Sequence, residues 1–171
     1  MERAAASLAL VSLLSAAALP AQGSTPDSLL HQLTGTWVLR GMIAGQQVVH
    51  DVTAQWVLNA EYVEIREVSR EKAPSGAPAY EAIVYVGRDP KTRLYSVLWL
   101  DNTAFGAFAP AGTGHAMAAG DSIPFVFGGP PTDRIHNTFV LKRATNTWEW
   151  HIDNEGADGR RVFARVTLSR R

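Results

Sequence analysis

The chain contains no cysteine. Disulfides, thiolate metal sites and a cysteine nucleophile are excluded, so the fold rests on its core and its backbone hydrogen bonds. Neither sign of charge is in excess: 16 Lys and Arg balance 16 Asp and Glu. Nucleic acid therefore has no basic face to meet, and the short clusters Arg160-Arg161 and Arg170-Arg171 read as solvated charge. Long amphipathic helical patterns are missing as well. That argues against parallel strands, which need crossovers of about a dozen residues. There is no Gly-x-Ser-x-Gly, no His-Glu-x-x-His and no phosphate-binding glycine loop, so a serine-nucleophile elbow, a zinc-protease helix and a phosphate loop are absent from the sequence. The stretch Ala111-Gly112-Thr113-Gly114 lacks a following lysine and helix and reads as a turn.

The longest apolar run lies at the start. Arg3 precedes a stretch rich in alanine, leucine and valine from Ala4 to Leu19, and Ala21-Gln22-Gly23 offers small residues for cleavage. Residues 1–23 read as a secretory signal peptide. The stretch falls short of the roughly 20 residues a membrane span needs, and no cysteine follows it to carry a lipid. The expectation is a periplasmic or secreted protein with no membrane anchor after signal cleavage, forming one domain over residues 24–171.

Within that domain, Asp27 or Ser28 can cap a short helix through Leu33, with Leu29, Leu30 and Leu33 on one side to plug a barrel end. After Gly35 the hydrophobic period becomes two. Strand candidates are 36–43, 46–58, 61–70, 79–88, 92–100, 104–109, 113–118, 121–128, 135–143, 147–153 and 160–168. Turn signals such as Ala44-Gly45, Gly87 to Thr92 and Asn154 to Gly159 separate them. Short connections imply antiparallel pairing, and an antiparallel sheet of eight to ten strands removes its exposed edges by closing. The expected fold is all-β: a single antiparallel up-and-down barrel of about 8–10 strands with a short N-terminal helix. A two-sheet sandwich is the alternative. The runs from Tyr80 and Leu94 are apolar on both faces, which favours a homodimer.

Gly35-Thr36-Trp37 resembles the first signature of the calycin superfamily, the lipocalins and fatty-acid-binding proteins. The resemblance implies that Trp37 packs at the closed end of the barrel and that an arginine of the last strand stacks over it. Arg165, in Val162 to Leu168, takes that place; a guanidinium over an indole is a cation–π pair. The whole of residues 28–170 resembles bacterial lipocalin-like domains of unknown function. The motifs that carry this are the helix, the Gly-x-Trp, Tyr80 to Asp89 and Tyr95 to Asp101. A further likeness, to haem-binding barrels of the nitrobindin kind, stops at the Gly-x-Trp. Val38-Leu39-Arg40 replaces the glycines, residues 160–168 hold no histidine, and no cofactor is expected.

Pockets in the mouths of barrels commonly take small molecules. The expected function is an exported binding protein that holds a small apolar or amphipathic molecule. Its candidate lining is Tyr85, Trp99, Phe125, Phe127, His136 and Trp150. One alternative is a structural or interaction module whose barrel is filled by its own side chains. Another is a cofactor-free isomerase, cyclase or hydrolase using His136 with Asp101 or Glu64. Glu149, His151 and Asp153 share a strand face, but the outer two stand about 13 Å apart on an extended strand. They read as a solvated mixed-charge face and not as a metal site. His50-Asp51 point to opposite faces and make no dyad. Glu64 and Arg66 read as an outward charge set beside inward Val63 and Ile65.

Overall fold

The computed structural model describes residues 27–103, 112–128 and 133–171. The signal segment 1–23 and the strand candidate 104–109 lie outside the described residues. A six-residue helix, α1 (Ser28–Leu33), precedes ten strands. These are β1 (Gly35–Ile43), β2 (Gln46–Val57), β3 (Tyr62–Ser69), β4 (Glu81–Arg88) and β5 (Leu94–Asp101), then β6 (Thr113–Met117), β7 (Ser122–Gly128), β8 (Arg134–Lys142), β9 (Thr147–Gly156) and β10 (Gly159–Arg170). Each strand pairs antiparallel with the next, and β10 pairs with β1, closing the sheet into an up-and-down barrel. Closure gives every strand a neighbour on both sides, which removes the free sheet edges.

Period-two patterning sets the two faces. On β2, Val52 and Ala54 are buried while Thr53 and Gln55 are exposed; on β3, Val63 and Ile65 are buried beside exposed Tyr62 and Arg66. The outward reading of Glu64 and Arg66 matches this arrangement. Glu64 accepts a hydrogen bond from the Tyr85 hydroxyl at 2.9 Å, and Arg66 pairs with Glu81. The interior is dense with large side chains: Trp37, Trp148, Trp150, Phe125 and Phe139 are each under 2% exposed.

One barrel end is closed by α1. Asp27 caps the helix, accepting from the backbone N–H of Leu29 and of Leu30 at 3.0 Å each. The same carboxylate accepts from the Tyr95 hydroxyl at 2.9 Å and lies 3.4 Å from Arg88, fastening the helix to β5 and β4. Leu29, Leu30 and Leu33 turn into the core. Trp37 Nε1 donates to the Leu33 carbonyl at 2.8 Å, satisfying both the indole and the helix terminus.

The arginine over Trp37 is Arg170, which corrects the assignment to Arg165. In the β1–β10 register Trp37 lies opposite Arg170, whereas Arg165 lies opposite Met42, most of a strand away. The Arg170 guanidinium carbon stands 3.7 Å from the Trp37 ring centre, and its nitrogens donate to the Thr34 and Gln32 carbonyls at 2.6 and 3.0 Å. Arg165 belongs to the outer wall. It bonds Asp153 at 2.6 Å and the carbonyls of Ile152 and Ala164. A bulge between Val162 and Ala164 shifts the register just ahead of it.

The glycine of the Gly-x-Trp has a physical reason here. Gly35 has φ +126°, and a Cβ there would overlap the Arg170 guanidinium. Gly35 thus leaves room for the arginine that covers Trp37.

Candidate functional site

The end opposite α1 gathers polar groups inside the wall. His50 and Glu67 project inward from adjacent strands, 3% and 2% exposed, with Nδ1 and Oε1 2.5 Å apart. Buried charge or strong dipole of this kind persists only when partnered. Ser69 lies directly across from His50 in the ladder and is also buried. Tyr80, just ahead of β4, stacks on the His50 ring at 5.7 Å between centres. Its hydroxyl accepts from Trp99 Nε1 at 3.1 Å and lies within electrostatic reach of the Asp101 carboxylate. Burial, then the charges of Glu67 and Asp101, push the Tyr80 hydroxyl well above its ordinary value, so it stays protonated. Asp101 also accepts from the backbone and hydroxyl of Thr103 at 2.8 and 2.6 Å.

An aromatic row runs on from Trp99. Its ring meets Trp150 edge-on at 6.2 Å, and Trp150 stacks on Phe139 at 4.6 Å. Phe139 meets Phe125 edge-on at 5.4 Å, and Phe125 lies 6.3 Å from Phe127. Four of the six expected lining residues, Trp99, Phe125, Phe127 and Trp150, are therefore brought together inside the barrel. Two buried polar atoms at this row have no hydrogen-bond partner: Trp150 Nε1 and Asn137 Oδ1. Asn137 lies opposite Ile152, two residues beyond Trp150 on the same inner face of the β8–β9 pair.

The other two expected lining residues stand elsewhere, a correction to the sequence reading. Tyr85 alternates with inward Val84 and Val86 and hydrogen-bonds Glu64 on the outer wall. His136 lies between Ile135, which packs against the core, and buried Asn137, and meets Glu155 outside at 2.6 Å. That hydrogen bond is the main cause holding the Glu155 carboxyl below its ordinary value. His136 thus meets neither Glu64, on the far outer wall, nor inward-facing Asp101. Glu149 and His151 pair with each other outside at 3.1 Å, and Asp153 is held by Arg165.

The dyad escaped the sequence reading because its members are 17 residues apart. A signal was present: polar Asp51, Thr53 and Gln55 mark the outer face of β2, which turns His50 inward. Likewise outward Glu64 and Arg66 turn Glu67 inward.

A crevice of about 530 Å³ opens at this same end, between the tips of β8, β9 and β10. Ile135, Asn154, Glu155 and Arg161 are among its walls, and Ile135 also packs against the core.

No family model and no curated protein matches the sequence. Among solved structures, the chain is similar to one described as a redesigned β-barrel, with 13% identity, 84% of this chain and 95% of that chain covered, and a TM-score of 0.46. The class of protein defined is a closed ten-strand antiparallel barrel with a helix at one end.

Proposed function

We propose that the protein is an exported, calycin-like binding barrel that holds a small amphipathic molecule at the end opposite α1. The calycin reading is supported by Trp37 lying under Arg170 at the helix-closed end. The binding reading is carried by one observation: Trp150 Nε1 and Asn137 Oδ1 are buried beside the aromatic row with no partner. A buried polar group left unmet costs about 1–3 kcal/mol, and a bound molecule with an acceptor and a donor removes that cost. The apolar part of the ligand lies against Trp99, Trp150 and Phe139. Its polar part meets the groups around Glu67 and Asp101.

The competing reading is an interaction module with a self-filled barrel. It is favoured by the complete burial of Phe139, Trp148 and Trp150, which already occupy much of the interior. Native mass spectrometry separates the two. The protein is produced with its leader in a Gram-negative host and purified from the periplasm. Recovery from the periplasm with residues 1–23 removed supports export. An added mass of a few hundred daltons that disappears on denaturation supports the binding barrel. A mass equal to the bare chain, unchanged after incubation with a periplasmic small-molecule extract, overturns it and leaves the self-filled module.

A further inference from the structure

We infer that the ligand of this barrel is an organic cation: an amine or protonated nitrogen heterocycle on an apolar body that also carries an acceptor atom. This rests on the binding reading above and names its chemistry. Among the described residues, the inward charges at this end are the carboxylates of Glu67 and Asp101 against the imidazole of His50, and Tyr80 adds a neutral hydroxyl. The arginines of the neighbouring strands are turned away. Arg40 is exposed on β1, Arg66 pairs with Glu81 outside, and Arg70, just past β3, is bound by Asp51 at 2.7 Å. Arg161 at the rim is 76% exposed and paired with Asp158.

An anionic ligand would bring a third negative charge beside two carboxylates in a poorly solvated wall, where like charges repel strongly. A cation is attracted by both carboxylates. It also meets the partly exposed indole of Trp99, which is linked to Tyr80 by a 3.1 Å hydrogen bond and to Trp150 by a 6.2 Å edge contact. The unmet Asn137 Oδ1 asks for an N–H or O–H donor, which an ammonium supplies. Trp150 Nε1 asks for an acceptor, which an ammonium lacks. The acceptor must come from elsewhere on the same molecule, so a simple alkylammonium is a poorer fit than an amine bearing a hydroxyl or ring heteroatom.

Three probes with one body and three head groups test this by isothermal titration at pH 7: tyramine, 2-(4-hydroxyphenyl)ethanol and 3-(4-hydroxyphenyl)propionate. Tyramine is expected to bind about tenfold tighter than the alcohol, and the propionate weakest. In Asp101→Asn and Glu67→Gln the preference for tyramine over the alcohol falls below about threefold. Asp101 is partly exposed, so Asp101→Asn keeps the test valid if Glu67→Gln does not fold. Alcohol or propionate bound as tightly as tyramine overturns the cation inference and leaves the binding barrel standing. A tyramine preference that survives Asp101→Asn overturns the placement of the site. Absence of binding by all three, together with a bare-chain mass in the periplasmic experiment, removes both readings.

Discussion

Replacing Arg170 by alanine removes three interactions at once. The cation–π contact with Trp37 at 3.7 Å contributes about 0.5–1 kcal/mol at a site that water still reaches. The two hydrogen bonds to the Gln32 and Thr34 carbonyls add roughly 1–2 kcal/mol together, below the range for charged donors because the side chain is exposed. The sum is about 2 kcal/mol. Arg165→Ala removes an outer-wall ion pair contributing about 0.2–1 kcal/mol, with side chains 40% and 23% exposed, together with two carbonyl hydrogen bonds of about 0.5–1 kcal/mol each, and leaves Trp37 covered. Guanidinium chloride unfolding followed by tryptophan fluorescence reads both losses as midpoint shifts at constant slope. In thermal unfolding the Arg170→Ala loss corresponds to roughly 4–8 °C for a domain of this size. Arg170→Lys recovers less than half, because an ammonium cannot fork across two carbonyls while lying flat on the indole. An unchanged midpoint in Arg170→Ala would refute the assignment of the stacking arginine.

Gly35→Ala displaces the Arg170 guanidinium and strains a backbone at φ +126°; an expected loss of about 2 kcal/mol or more is checked by the same denaturation. Phe139→Ala opens a cavity beneath Trp150 and costs about 3–5 kcal/mol, measured as a fall in the thermal midpoint. The hydroxyls of Tyr80 and Tyr95 are both raised from an ordinary value of 10, chiefly by burial. Their contribution is complete below pH 10 and declines as pH rises above it, because the unfolded chain releases protons that the folded one keeps. Tyr80→Phe makes this alkaline decline shallower, as read by denaturant midpoints at successive pH values; an unchanged slope speaks against the buried hydroxyl. Tyr85→Phe and His136→Ala leave tyramine affinity within about twofold, whereas Trp99→Ala weakens it about tenfold or more, as titration calorimetry shows.

The strands were legible because the barrel's inner and outer faces differ in polarity over most of their length. Alternating polar residues, Asp51, Thr53 and Gln55 on β2 and Glu64 and Arg66 on β3, mark the outer face, and short turns such as Ala44-Gly45 mark the ends. The helix cap was legible for a local reason, since Asp27 bonds groups two and three residues away. Tyr85 and His136 were misplaced where both faces are apolar or amphipathic: Ile83 and Tyr85 are half-buried on the outside of β4, so composition does not identify the inward set. Arg165 and Arg170 both lie on β10, and only the register against Trp37 separates them. Register is also what joins His50 to Glu67 and Tyr80 to Trp99. Period-two reasoning gives each strand its faces and leaves the sliding of one strand past another undetermined.

The β1–β10 pairing has a consequence for how the chain reaches its native state. Every other ladder joins neighbours in sequence and forms from local hairpins, while this one brings Trp37 to Arg170 across almost the whole domain. Such a contact has the highest loop-closure cost in the molecule and forms late. Until then β1 and β10 are both unpaired edges, able to pair with another chain. A chain that emerges from its N-terminus, as in synthesis, holds β1 open until β10 has followed it. The Arg170 clamp on Gln32, Thr34 and Trp37 then acts as the fastening that makes closure hard to reverse. Weakening that clamp should therefore show first in yield and aggregation during folding, before it shows in the stability of the finished barrel.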